Sequence, residues 1–119
     1  MRRRLRKIAR VALVLVVIFL AWFWLLPNGG HPRTMTQSVD LLIDTLSEED
    51  LDQVAATPES DLIKYHFGLG SHIRNEHGLW SGNLRLKIST GHYGALLHPD
   101  YASGPIIRAL WRKLQKRKR

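Results

Sequence analysis

The chain has no cysteine, which excludes disulfides and thiolate metal sites at once. Its two ends have no acid. Residues 1–33 carry seven Arg or Lys and no Asp or Glu, and residues 108–119 carry seven more basic side chains, again without an acid. Between them, residues 34–107 hold four basic and ten acidic side chains, a net of −6. The formal charge of +8 therefore describes no single part of the molecule. An acidic body between two basic ends gives no whole-chain argument for nucleic-acid binding. Recognisable catalytic signatures are missing too: there is no helical HExxH, no nucleophile elbow, no phosphate loop and no spaced carboxylate pair.

Val11 to Leu26 lacks any polar residue. Sixteen apolar residues make ~24 Å of helix, short of the ~30 Å hydrocarbon core. Ile8 and Ala9, with Arg10 snorkelling to the headgroups, close the gap. Trp22 and Trp24 fall at the far end, where amphipathic rings favour the interface. The alternative is a cleaved signal peptide, but Trp-Phe-Trp-Leu-Leu-Pro-Asn offers a peptidase no small-x-small site. The reading is an uncleaved signal anchor, and six cations before the apolar run place the N-terminus in the cytoplasm. The expected location is a bacterial cytoplasmic (inner) membrane, crossed once, with the C-terminal domain extracytoplasmic. The expected division is a basic cytoplasmic segment 1–10, the anchor 11–26, a Pro/Gly linker 27–35, a domain 36–114 and a basic tail 115–119.

Helical periods dominate the domain, and the expected fold is all-α: the single transmembrane helix plus a compact bundle of about four to five helices. Val39, Leu42, Ile43 and Leu46 recur at helical spacing. Ser47 with Glu48, Glu49 and Asp50 reads as a cap followed by an acidic first turn. A central helix is expected over about 61–76, capped by Ser60, with Ile63, His66, Phe67, Gly70, Ile73 and Arg74 in one stripe and another helix crossing at Gly70. Gly78 is positioned to end it, and Leu79 and Trp80 are expected to fold back as a core plug. Leu84 to Ile88 alternates like a strand, yet a lone strand has no partner here, so a short helix is preferred. The last helix carries Ile106, Ile107, Leu110, Trp111 and Leu114, with Pro105 acceptable only in its first turn.

Over Leu42 to Leu114 the chain resembles an uncharacterised family of small domains of unknown function. The residues carrying the resemblance include Leu46-Ser47-Glu48-Glu49-Asp50-Leu51, His66-Phe67-Gly68-Leu69-Gly70, Ile73-Arg74-Asn75, Gly78-Leu79-Trp80, Gly82-Asn83, Pro99-Asp100, Ala102-Ser103, Ile106-Ile107 and Leu110-Trp111. The resemblance implies an all-helical fold and carries over no activity, cofactor or mechanism. The chain departs from the pattern at His77, where an aromatic residue is expected, and at Gly104-Pro105 inside the last helix.

Six residues form the candidate polar cluster: His66, Arg74, Asn75, Trp80, Asn83 and Asp100. They are weighed as ties that satisfy irregular backbone against a ligand-binding or catalytic site, and the first is favoured in a domain this small. A metal reading of His66, His72 and His77 fails on spacing: His72 lies opposite His66, and His77 is about 16 Å along a helix from it. No cofactor is expected. The expected function is a non-enzymatic interaction module at the bacterial envelope. The rivals are a small ligand-binding or enzymatic domain built on Arg74, Asn75 and Asp100, and a cytoplasm-facing adaptor of inverted topology. Expected partners are the bilayer through residues 11–26 and an unidentified protein. The basic tail is open to anionic lipid or to the domain's own acidic face, with nucleic acid least favoured.

Overall fold

Six α-helices, two 3-10 segments and no strand make up the described residues, 1–26, 28–96 and 98–118 of a computed structural model. Tyr93 and Ala95 are described by their backbone alone. Pro27 of the expected linker, Leu97 of the loop before the last helix and Arg119 of the tail lie outside the described residues. The chain is all-α as expected, and five helices follow the first.

Helix α1 (Arg2–Leu25) runs unbroken through the basic segment and the apolar run, since neither contains Gly or Pro. None of its residues is buried, and its mean hydropathy reaches 2.5, so its 24 residues are long and apolar enough to cross a membrane. The molecule's extents of 66 × 30 × 24 Å reflect that projection. α2 (Met35–Thr45) is capped by Thr34, whose hydroxyl accepts from the Gln37 amide at 3.2 Å. α3 (Glu48–Ala56) is capped by Ser47, accepting from the Asp50 amide at 3.1 Å, with three acids in the first turn.

The single helix expected over 61–76 is instead two elements. A 3-10 segment (Glu59–Tyr65) follows Pro58, a turn covers His66 to Gly68, and α4 spans Leu69–Glu76. Pro58, not Ser60, sits at the start of the first piece and offers no side-chain cap. Gly68 lies at ψ −86°, outside helical geometry, and there the chain changes direction. The shared stripe is lost as a result. Gly70, Ile73 and Arg74 face inward, whereas Ile63 and Phe67 are 77% and 83% exposed and Leu62 takes the buried place.

Around α6 (Asp100–Arg117) the rest of the domain is packed: α2, α3, α4 and both 3-10 segments lie against it, so α6 takes the central role expected of the helix over 61–76. Ala102, Ile106 and Leu110 are fully buried and meet Leu42, Leu51, Ile73, Leu79 and Leu86. Leu79 is the plug; Trp80 is 56% exposed, because the turn after α4 directs consecutive side chains to opposite sides. α5 (Leu84–Ser89) is the expected short helix. Pro105 stands in the second turn of α6, not the first. The amide it lacks would have bonded the carbonyl of Tyr101, an exposed residue at the surface where water can replace that bond.

The segregated charges of the sequence meet across this hub. Arg108 and Arg112 lie 3.7 and 4.0 Å from Glu59, Lys113 pairs with Asp40, and Arg117 lies 3.8 Å from Glu48. α6 continues through Arg117, so the tail is an extension of the helix. Lys118 Nζ and Gln115 Nε2 donate to the Ala55 carbonyl at 3.1 and 2.8 Å, at the negative end of α3. Exposed pairs of this kind contribute about 0–1 kcal/mol each, so they set register more than stability.

Candidate functional site

Arg74 is the most completely engaged polar side chain in the domain. It leaves the last turn of α4 with its side chain 6% exposed, and the missing side chain of Gly70, one turn earlier, makes room for it. A Cβ on Gly70 would stand 2.8 Å from Arg74 Nη1 and 3.3 Å from the Tyr65 carbonyl. The close approach expected at Gly70 is thus made by a guanidinium, not by a crossing helix. Arg74 Nη1 donates to Ser103 Oγ at 3.0 Å, and Nη2 donates to the His66 carbonyl at 3.1 Å and to Ser71 Oγ at 3.0 Å. Nε faces Asp100 Oδ1 at 3.1 Å.

Asp100 opens α6, where a carboxylate complements the helix dipole, and its side chain is 40% exposed. Its second oxygen lies 3.9 Å from His66 Nε2 and 3.4 Å from His98 Nδ1. His98 Nδ1 also accepts from the Asp100 amide at 3.2 Å, which requires that nitrogen to be unprotonated. Only a charged ring would turn the His98 contact into an ion pair. His66, Arg74 and Asp100 are therefore brought together, with Ser71, Ser103 and His98 added as members that sequence spacing did not single out.

Of the other three candidates, Trp80 borders this cluster and two lie elsewhere. Asn75 is exposed and forms no side-chain hydrogen bond with the described residues. Trp80 stands edge-on to His98 with ring centres 5.3 Å apart. Asn83 is buried in a second network that folds the expected linker onto the domain. It caps α5 through the Leu86 amide, and its Nδ2 donates to the carbonyls of Pro32 and His77 at 2.7 and 2.8 Å. Asn28 Nδ2 donates to Asn83 Oδ1 at 3.2 Å. His31 Nδ1 lies 3.0 Å from the Glu76 carbonyl, and its ring covers Gly78 so closely that a Cβ there would come within 2.6 Å. Gly78 also sits at φ +74°, the left-handed setting that ends α4.

His77, where an aromatic residue was expected, has a partner. Its Nδ1 shares a short hydrogen bond with the hydroxyl of Ser38, and both residues are essentially without solvent contact. Burial, reinforced by nearby His72 and His31, lowers the His77 imidazole from 6.5 to about 4, so the ring is neutral at neutral pH. Ser38 gave a signal in the sequence: it stands one turn before Leu42 on the buried face of α2, where a hydroxyl needs a partner.

A clamp joins α1 to the domain. Arg33 Nη2 and Arg85 Nη1 both donate to the Leu26 carbonyl, at 3.1 and 3.0 Å, at the negative end of α1. The Arg85 guanidinium also stands 5.0 Å from the centre of the Phe23 ring. Among the described residues, no three His, Cys, Asp or Glu side chains converge on a point where a metal would sit.

Fold and site together define a small all-helical domain carried on the end of a helix fit to cross a membrane. The chain belongs to the family described as Domain of unknown function (DUF6794), whose model matches residues 31–114. That span begins at His31, the residue that seals the linker against Gly78. No curated protein and no solved structure matches the chain.

Proposed function

We propose that this chain is a membrane-anchored, non-enzymatic interaction module of the bacterial envelope, with its N-terminus in the cytoplasm and its helical domain outside. The observation that carries the non-enzymatic reading is the engagement of Arg74 within the domain. Each of its three guanidinium nitrogens faces a group of the domain itself, through four of its five N–H donors, and one Asp100 oxygen faces Arg74. A catalytic or ligand-binding arginine keeps at least one face for its ligand. The Arg74 cluster ties the end of α4 to the start of α6, as irregular segments in a small domain require. The C-terminal cations, engaged with Glu48 and Ala55, favour the domain's own acidic face over anionic lipid as the role of the tail.

Two measurements test this reading. In the full chain, Asp100→Ala removes the counter-charge of the buried Arg74 and, with Asp100 itself 40% exposed, should lower stability by about 1–3 kcal/mol, and Arg74→Ala should be at least as harmful. Melting temperatures equal to or above wild type for both would convert the cluster into a binding or catalytic site, since functional clusters gain stability when truncated. A C-terminal reporter active only outside the cytoplasm should give signal in bacterial cells, and signal from a cytoplasm-only reporter would reverse the topology.

A further inference from the structure

Three features remain outside this function: the open groove of about 620 Å³ along α6 beside Tyr101 and Arg108, the buried His77–Ser38 pair, and the exposed face of α5. The last carries furthest. We infer that α5 is an interfacial helix whose Leu84 and Ile88 side chains enter the headgroup–acyl boundary of the bilayer that α1 crosses, so that the domain is held in one orientation on the lipid surface.

Leu84 and Ile88 are one turn apart on α5 and therefore share a face, and they are 42% and 51% exposed. Between them in sequence, Arg85 lies roughly 60–100° around the helix from that face and is 4% exposed. Arg85 fixes the depth of the helix. Its guanidinium touches both the Leu26 carbonyl and the Phe23 ring, which lie about 4.5 Å apart along α1. Phe23 is flanked by Trp22 and Trp24, side chains that favour the membrane–water interface. α5 is thus tied to the level at which α1 leaves the hydrocarbon. Asn28 and Pro32, bonded to Asn83 at the start of α5, close the connection from its other side and leave the chain no slack to lift the helix away. Arg33, half-buried, shares the Leu26 carbonyl with Arg85, and half-buried Lys87 follows on α5, so positive charge that suits lipid phosphates lies beside this junction. Two aliphatic side chains on one face, at interfacial depth and with Arg33 and Lys87 nearby, have the chemistry of a helix lying in the membrane plane.

This inference rests on α1 spanning the bilayer, and the experiment separates the two. Because the chain has no cysteine, single spin labels can be placed through Leu15→Cys, Leu84→Cys, Ile88→Cys and Asp44→Cys in the full chain. The variants are reconstituted in vesicles of phosphatidylcholine with phosphatidylglycerol, and collision rates are read with oxygen, which partitions into lipid, and with a water-soluble nickel chelate. Labels at 84 and 88 should collide with oxygen several-fold more, and with nickel several-fold less, than the label at 44, approaching the label at 15. If 84 and 88 behave like 44 while 15 is embedded, the anchor stands and this inference is wrong. If 84 and 88 are shielded from both reagents, protein covers them, as a second copy would, and the inference is again wrong. A label at 15 that reads as aqueous removes the anchor and the inference with it.

Discussion

Acidification should unfold this domain through one buried ring. His77 in the unfolded chain takes up a proton near pH 6.5, but in the folded domain it does so only near 4. Between those values the unfolded state binds more protons, so stability falls as pH falls from 6.5 to 4 and is level with respect to this group outside that window. At about 1.4 kcal/mol per tenfold change the full drop amounts to roughly 3 kcal/mol. For a domain of this size a fall of that order corresponds to roughly 10–25 °C in melting temperature. Carboxylates also titrate in the lower part of the window, so wild type is compared with His77→Phe, which cannot take up the proton. His77→Phe leaves the Ser38 hydroxyl without a partner, and Ser38→Ala in the same chain should recover about 1 kcal/mol of that loss. Urea unfolding of the full chain in mild detergent, with Trp22, Trp24 and Trp80 changed to Phe, leaves Trp111 as the reporter. Its indole donates to the Thr57 carbonyl at 2.7 Å and so senses α6 against the end of α3. A constant stability difference between wild type and His77→Phe across pH 6.5 to 4 would refute the reasoning, as would a carbon or nitrogen resonance of the His77 ring titrating near 6.5.

Two further outcomes follow from the packing. Leu79→Ala, at a site with no exposure, should cost about 2–5 kcal/mol, whereas Trp80→Ala should stay within about 0.5 kcal/mol in the same thermal melts; equal losses would return Trp80 to the core. Pro105→Ala restores the amide that bonds the Tyr101 carbonyl and should stabilise the domain by about 1–2 kcal/mol, with a lower melting temperature marking Pro105 as a required packing element.

The elements that could be read in the sequence are those whose signals are local. α2, α3 and α6 announce themselves through apolar stripes, and Ser47 with its three acids marks a helix start without tertiary help. α5 was legible by elimination, because a strand needs a partner. What could not be read depends on partners far along the chain. Ser38 and His77 are 39 residues apart, Pro32 and Asn83 are 51 apart, and Arg85 meets Leu26 across 59. The helical wheel over 61–76 failed because it assumes an unbroken helix, and the turn at His66–Gly68 resets its phase. Of the candidate cluster, His66, Arg74 and Asp100 converge as their positions at the facing ends of α4 and α6 suggest, while Asn83 serves a different network and Asn75 and Trp80 point outward.

The place of α6 bears on how such a chain is made. Synthesis runs from the N-terminus, so α2, α3 and α4 emerge before the helix they pack on exists. Until Ala102, Ile106 and Leu110 arrive, Leu42, Leu51 and Ile73 have no surface to bury against. The acidic stretch 34–99 therefore travels as an open polypeptide, and assembly waits for the segment that brings both the apolar seam and the cations matching Glu48, Glu59 and Asp40. A stop codon anywhere before α6 leaves a chain that cannot condense, a ready substrate for quality-control proteases. One placed after it leaves a complete domain.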